Sequence, residues 1–460
     1  MKQTILKYIF AVTVLSSAAS CSKYLEVTPK QSIDAATALE NDEDLNALMI
    51  GGYSILGRGS MYGTNFLMLP ELLGGDDICT WRGTFTSFRE VYNKTMTSIN
   101  EEARRTWVNA YDGINTANLA LANLDKIEDA DLRTQIEGEA YFMRGILHFE
   151  LVRYYAKQYV AATASTDLGV VIKTTPTNNE EDAFKILPRN TVAQVYTQVI
   201  NDLVKATTLL PDENDYRASK YTAYAFLSRV YLQQGDYTKA RDAASEVIES
   251  GLFVPNASVS AVFSNKNTKE SIFEIQQTDQ NNAGTANDGM ATFYASLPGI
   301  GRADVRVNAG LPDDLYEAAD LRKTEWYYIG TGARAGNTYC SKWKSYSQNL
   351  PVIRILEMYL TRAEANRRLN TTVGATPAQD LAMVINPVRT NTTAPANPTL
   401  DDILQERSRE LLFEGLRIHE LKRLRLPTGD YEWNDNSLVF PIPQREVDAT
   451  NGVISQNPGY

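Results

Sequence analysis

The chain has 460 residues, 43% of them hydrophobic, 22% charged and 10% aromatic, a balance that suits a sizeable core and excludes a disordered chain. Its formal net charge is −11 with no long basic block, which excludes a nucleic-acid grip built from clustered Lys and Arg. The 25 tyrosines stand out, because each offers a flat apolar face with a polar tip.

Lys2 and Lys7 form a basic start, and "YIFAVTVL" is an apolar stretch too short to span a bilayer. Small residues then lead to Cys21. This pattern predicts a lipoprotein signal at 1–20, with Cys21 acylated as the new N-terminus and holding the body 21–460 on a membrane. No other apolar run is long enough to cross a bilayer.

"LPELLGGDDICTWRGTFTSFREVY" (69–92) reads as a long irregular stretch. Asp76-Asp77 after Gly74-Gly75 reads as a turn whose carboxylates bond nearby backbone, with a calcium ligand as the lesser alternative. Residues 101–127 and 132–157 carry helical spacing and could pair, and 191–210 forms another helix stopped by Pro211. Residues 219–251 read as two helices broken at Gly235-Asp236 and stopped by Gly251. Tyr231 and Ala240 are the large and small knobs of a tetratricopeptide-type pair.

Between 252 and 350 the helical pattern fades. "SIFEIQQ" (271–277) alternates like a strand, 278–302 is a polar glycine-rich loop, and "EWYY" (325–328) reads as a strand edge. Helical spacing returns at 351–370 and 377–390. Residues 399–427 form the clearest single helix, with Thr399 and Asp402 as a capping box and Pro427 as its end. An extended tail, 428–460, follows. The fold class is mainly α: a degenerate tetratricopeptide-repeat scaffold at 101–251 and 351–427, with long irregular loops at 252–350 and a few short strands.

Catalytic signatures are missing. His148 and His419 both sit inside amphipathic helical patterns with no nucleophile motif, and are read as packed structural residues. No G-x-S-x-G, P-loop, H-E-x-x-H or CxxC occurs, and no cofactor is expected. Cys79 and Cys340 lack neighbours at metal-ligand spacing and read as structural cysteines, free or paired. A glycosidase would need two separated carboxylates across a bond, which the Asp76-Asp77 doublet does not supply.

Binding is better supported. A sugar ring has an apolar face and a rim of hydroxyls, so it suits a flat aromatic beside amide, carboxylate or guanidinium groups. Trp81, Arg82 and Phe85, with Phe88, offer that mixture on one loop. Phe293, Tyr294, Asn287 and Asp288, with Arg302, offer it on another. Gly83 and polar neighbours predict an exposed turn at Trp81.

Several stretches together resemble the RagB/SusD family of outer-membrane nutrient-binding lipoproteins. "CSKYLEVTPK" is similar to the mature start of such proteins. Trp107, Tyr111, Ile114, Ala117 and Asn118 match a W-x-x-x-Y-x-x-I-x-x-A-N run. "ERSRELLFEGLRIHELKR" (406–423) resembles a second family stretch, with Glu420 where Asp is usual and Ile418-His419 where aromatics are common. Pro441, Ile442, Pro443, Glu446 and Gln456 to Tyr460 match the P-I-P-x-x-E … Q-N-P-G-Y ending. The resemblance spans nearly the whole chain. It implies a single α-rich body, lipidation at Cys21, outer-membrane and cell-surface placement, and non-catalytic capture of a glycan. It also implies a partner, a SusC-like TonB-dependent transporter. Peptide capture by the same architecture, or a tetratricopeptide adaptor for proteins, are the alternatives.

Overall fold

A helix with one apolar stripe buries that stripe most readily against another helix, and this chain stacks its helices one on the next. The computed structural model describes residues 39–386 and 389–460; the segment 1–20, expected as a lipoprotein signal, and Cys21 lie outside the described residues. Residues 41–460 form one compact unit.

The stack begins with α1 (Asp42–Leu56). A short α2 (Asn65–Leu73), a strand β1 (Cys79–Trp81) and α3 (Thr86–Asn93) follow. The long helices are α4 (Glu101–Ala122), α5 (Ala130–Tyr155) and α6 (Val192–Leu209). Next come α7 (Lys220–Gln234) and α8 (Tyr237–Glu249). After an irregular region with a one-turn helix α9 (Met290–Tyr294), the helices resume as α10 (Ile355–Leu369) and α11 (Pro377–Val384). Then come α12 (Leu400–Leu411) and α13 (Arg417–Leu424). Helix α1 packs on α4, α4 on α5, α5 on α6, α6 on α7, α7 on α8, α8 on α10 and α10 on α11. That is a tetratricopeptide-like scaffold.

Local sequence fixes the ends of these helices. Thr191 caps α6 by accepting from the Gln194 N–H, and the Gln194 side chain accepts from the Thr191 N–H. Gly235, at φ 83°, supplies the left-handed turn between α7 and α8. Thr399 and Asp402 form the expected capping box of α12.

Two small sheets occupy the irregular region. Strands β1, β3 (Val305–Val307), β5 (Thr338–Cys340) and β4 (Tyr327–Ile329) lie side by side in that order, all antiparallel. The "EWYY" stretch thus supplies the edge strand β4. Strand β2 (Ser271–Ile275) pairs with β6 (Leu350–Arg354).

Four expectations are corrected. Residues 351–354 are strand rather than helix, because the run Leu350–Arg354 is buried against β2, and the helix starts only at Ile355. Helix α11 ends at Val384 instead of reaching residue 390. The single helix expected at 399–427 is two: Phe413 (φ 66°) and Gly415 (φ 83°) are left-handed and break it. The stretch 69–92 is largely ordered as α2, β1 and α3. Cys79 and Cys340 are buried and free. They sit on β1 and β5 with β3 between, so about 9–10 Å separates the two strands alone, beyond disulfide reach.

Charge is also part of the core. Arg354 is fully buried and pairs with Glu270 at 2.6 Å, Glu414 at 2.8 Å and Glu410 at 3.0 Å. Arg322, Arg389 and Lys342 reach the same group of carboxylates. This knot ties β6, α12 and the irregular region together.

Candidate functional site

A cleft of about 880 Å³ opens between α1, the first half of α4, the loop 278–288 and the turn at 212–217. Its size is that of a ligand pocket. Arg105 and Asn109 are four residues apart on α4 and so share the face that lines it. Arg58 follows α1 and reaches back to Asp112 at 2.7 Å and to Asn109. Arg105 lies between Glu102, at 3.3 Å, and Asp288, with which it makes a short ion pair. Arg217 pairs with Glu139 and donates to the Asn46 side chain at 2.9 Å. Every guanidinium in the cleft therefore faces a carboxylate of this chain.

Asp288 is the pin of the facing loop. Its carboxylate holds Arg105, and its backbone oxygen accepts from the Thr64 hydroxyl at 2.6 Å. Asn287, left-handed at φ 60°, turns the chain into it. Gly59 makes the approach possible: a Cβ there would lie 2.1 Å from Asp288 Oδ2 and 2.6 Å from its backbone oxygen. Gly59→Ala should push the loop off α1, weakening any ligand held in the cleft and lowering stability by about 1–3 kcal/mol. Chemical denaturation alongside a ligand titration checks both.

Glu102 sits behind this pair. It accepts from Asn65 at 3.0 Å and from the Ser87 hydroxyl at 3.0 Å. Burial pushes its carboxyl above the usual range, opposed chiefly by Arg105. Through Ser87 the cleft connects to α3 and to Phe85 just before it.

The sequence-predicted aromatics lie at that junction. Trp81 is in β1 and only 5% exposed, packed on Phe88 at 5.2 Å and Phe293 at 5.8 Å. Phe293 and Phe88 are 4.9 Å apart, and Tyr294 is fully buried against Phe413. The exposed turn expected at Trp81 is thus corrected. Gly83 is buried too, folded so closely on the Trp81 ring that a Cβ would lie 2.3 Å from it. The rings of the two loops seal a seam between them instead of facing solvent. Phe85 is the exception, with its ring 36% exposed beneath the Arg302 guanidinium at 4.7 Å. Arg302 also donates to the Thr84 hydroxyl at 2.9 Å. Arg82 is exposed, and its backbone N–H donates to the Asp304 carbonyl at 2.6 Å. The loops 74–92 and 278–302 therefore meet, with Asp288 at the cleft and Phe85 at the outer edge of the seam; Asn287 is exposed beside the cleft and does not line it.

Other singled-out residues have structural partners. Asp76 takes Lys94 at 2.7 Å and the Thr428 hydroxyl at 2.9 Å, and Asp77 takes Arg417 at 2.7 Å. The expected turn is present at 76–78, but the carboxylates form long-range ties where bonds to nearby backbone were expected. The His148 Nε2 accepts the Lys173 N–H at 3.3 Å, so its Nδ1 carries the proton that faces the Arg144 carbonyl. Burial lowers the His148 pKa to about 4 and also holds that of His419 well below its ordinary value. Among the described residues no group of three or more His, Cys, Asp or Glu is gathered as for a metal ion, and no helix is long and apolar enough to cross a membrane.

A family described as "Starch-binding associating with outer membrane" matches residues 23–232, and the SusD family matches 313–438. The SusD-like protein P2 of Formosa agariphila is 26% identical over 98% of both chains. The chain belongs to the SusD/RagB family. The starch-binding protein SusD of Bacteroides thetaiotaomicron is 24% identical over the whole of both chains. A SusD superfamily protein from Bacteroides vulgatus superposes with a TM-score of 0.81, at 25% identity, over 92% of this chain and 99% of that one.

The motifs that carry membership in the SusD/RagB family are structural here. Gln456 exchanges hydrogen bonds with the backbone of Ile442, both at 2.7 Å. Asn457 donates to the Tyr155 and Phe440 carbonyls at 2.8 Å, and Tyr460 donates to the Val439 carbonyl at 2.6 Å. They bind the tail to the end of α5. The cleft residues Arg58, Arg105 and Asn109 carried no motif signal. Only the four-residue spacing of Arg105 and Asn109 could have grouped two of them.

Proposed function

We propose that this protein is a non-catalytic outer-membrane lipoprotein, anchored through acylated Cys21 at the cell surface. It captures an oligosaccharide and delivers it to a SusC-like TonB-dependent transporter. Membership in the SusD/RagB family supports the role, and the starch-binding relative supports a carbohydrate ligand. The cleft at Arg58, Arg105, Asn109 and Asp288 is the assigned capture site, with Phe85 and Arg302 at its outer margin. The observation that carries the reading is the pairing of the cleft's guanidinium groups. Arg58, Arg105 and Arg217 already face carboxylates, so the cleft offers fixed hydrogen-bond donors and acceptors without an uncompensated positive charge. Such a surface suits the hydroxyl rim of an uncharged sugar and gives an acidic sugar no free cation to bind.

Two measurements test this. The full-length lipoprotein, purified in mild detergent, should bind neutral oligosaccharides on a glycan array, and Asp288→Ala should lose that binding. Affinity purification from native outer membranes should also bring down a stoichiometric TonB-dependent barrel. An intact acylated protein that arrives alone would sink the delivery role. Hydrolysis of a bound glycan would sink the non-catalytic one.

A further inference from the structure

A second cleft, about 250 Å³, lies on the far side of the turn 212–217. The two clefts share the turn residues Asn214 to Arg217 and the β2 residues Phe273 and Glu274 as a common wall. The turn is held firmly on both flanks. Asn214 donates to Glu139 at 2.9 Å and to the Ala218 carbonyl at 2.8 Å, and accepts from Gln135 at 3.1 Å. Arg217 is clamped by Glu139 and Asn46, and its N–H closes the turn on the Asn214 carbonyl at 2.8 Å. Between these anchors the chain passes through Asp215, left-handed at φ 46°, and presents Tyr216 at the crest.

Tyr216 is 62% exposed. Among the described residues neither its hydroxyl has a hydrogen-bond partner nor its ring an aromatic or cationic neighbour. Most tyrosines of this size find such company when they serve packing. A large ring held out of the body, on a turn fixed at both ends, is what a stacking platform requires. On the far side the second cleft offers Asn267, whose amide bonds that of Gln276 at 2.8 Å; Gln276 and the carboxylate of Glu274 line both clefts. The turn itself carries Asp212, Glu213 and Asp215, and among the described residues Asp212 alone of the three is in an ion pair, with Lys220 at 3.3 Å; Lys269 also lines this wall. With Glu274 the acids outnumber that lysine, so an anionic chain would meet a net negative wall; an uncharged one would meet amides and an aromatic face.

We propose that the second cleft is a distal subsite, and that Tyr216 is the platform over which the ligand passes. The ligand is then an uncharged oligosaccharide long enough to run from Arg105 and Asp288, across Tyr216, to Asn267. The inference rests on the reading that the first cleft holds carbohydrate, and it adds the ligand's length and a specificity-determining residue.

The test is titration of the full-length lipoprotein with gluco-, manno- and xylo-oligosaccharides from dimers upward, with oligogalacturonates as the acidic series. The longest neutral chains of the preferred series should bind about tenfold tighter than its dimer, a gain of the size expected from one stacked ring. Tyr216→Ala should remove that advantage and leave the melting curve unchanged. Tyr216→Phe should keep it, because the ring does the stacking. Equal affinity for short and long chains, a length advantage that survives in Tyr216→Ala, or preference for the acidic series would overturn the proposal. If the wild type binds no member of any series, the carbohydrate reading of the first cleft falls instead, and this subsite falls with it.

Discussion

Arg354→Met should destabilise the protein by about 3–5 kcal/mol, the usual result of removing one partner from a buried charge pair. Arg354 ends β6 and is fully buried, with Glu270, Glu410 and Glu414 all within 3.0 Å of its guanidinium. Methionine would fill part of the volume and leave three carboxylates short of a cation. The remaining Arg322, Arg389 and Lys342 are already committed to the same acids. The contrast is Arg104→Met. Its ion pair with Glu101 is largely exposed, and its loss should change stability by less than about 1 kcal/mol. Urea unfolding of both variants separates the two cases.

The same knot sets the acid limit of the fold. Burial alone would raise the Glu410 carboxyl, but Arg389, Arg354 and Arg322 outweigh it and hold the pKa at about 2, below the ordinary 4.5. A carboxyl lowered by folding contributes stability that is fully present above its unfolded pKa and is lost as pH falls through the folded one. The loss should run from pH 4.5 down to about 2. With Arg354 gone, Glu410 loses one of the charges that hold it ionised, so acid unfolding should begin at a higher pH than in the wild type. Circular dichroism followed through an acid titration reads this directly. An unchanged midpoint would mean that Arg322 and Arg389 alone hold the carboxylate.

Helix spacing and caps were legible in the sequence because they are local. Thr191 with Gln194, Gly235 and Thr399 with Asp402 each act within a few residues, and each does in the structure what its type predicts. Two of the failures are long-range. The residues at 351–354 look helical until β2, far back in the chain, takes them as a partner strand. Trp81 sits among polar neighbours, yet Phe88 and Phe293 bury its ring. The cleft was hidden for the same reason. Arg58, Arg105 and Asp288 are scattered over about half the chain, and only Gly59 and Thr64 meeting Asp288 brings them to one place. Of the predicted binding residues, Asp288 lines the cleft because a carboxylate on a glycine-rich loop needs a cation, and Arg105 was within reach.

Glu71→Ala should be as damaging as any substitution outside the charge knot, about 4 kcal/mol, because each of several buried donors would lose its acceptor at a cost of roughly 1–3 kcal/mol, offset in part by entering water. Glu71 is on α2 and fully buried. One of its oxygens accepts the Phe413 N–H at 3.0 Å; the other accepts those of Gly415 and Leu416 at 2.9 Å and of Arg417 at 3.2 Å. These are the donors left open where α12 stops and α13 starts, so the carboxylate replaces the hydrogen bonds that a continuous helix would have made. The break in turn lets Gly415 lie against α2, where a Cβ would meet the Phe66 carbonyl at 2.4 Å. Arg417, released from the helix interior, reaches Asp77 and the Gly74 carbonyl and fixes the start of the stretch that leads to Trp81 and Phe85. Glu71→Gln separates shape from charge. Its amide oxygen can still serve Gly415, Leu416 and Arg417, while its NH2 would face the Phe413 N–H, so the loss should be about half that of alanine. Hydrogen exchange should then speed up at 413–417 and at 74–92 together in Glu71→Ala. Exchange that rises at 413–417 alone would show that the binding loop is held by its aromatic seam and not by this carboxylate.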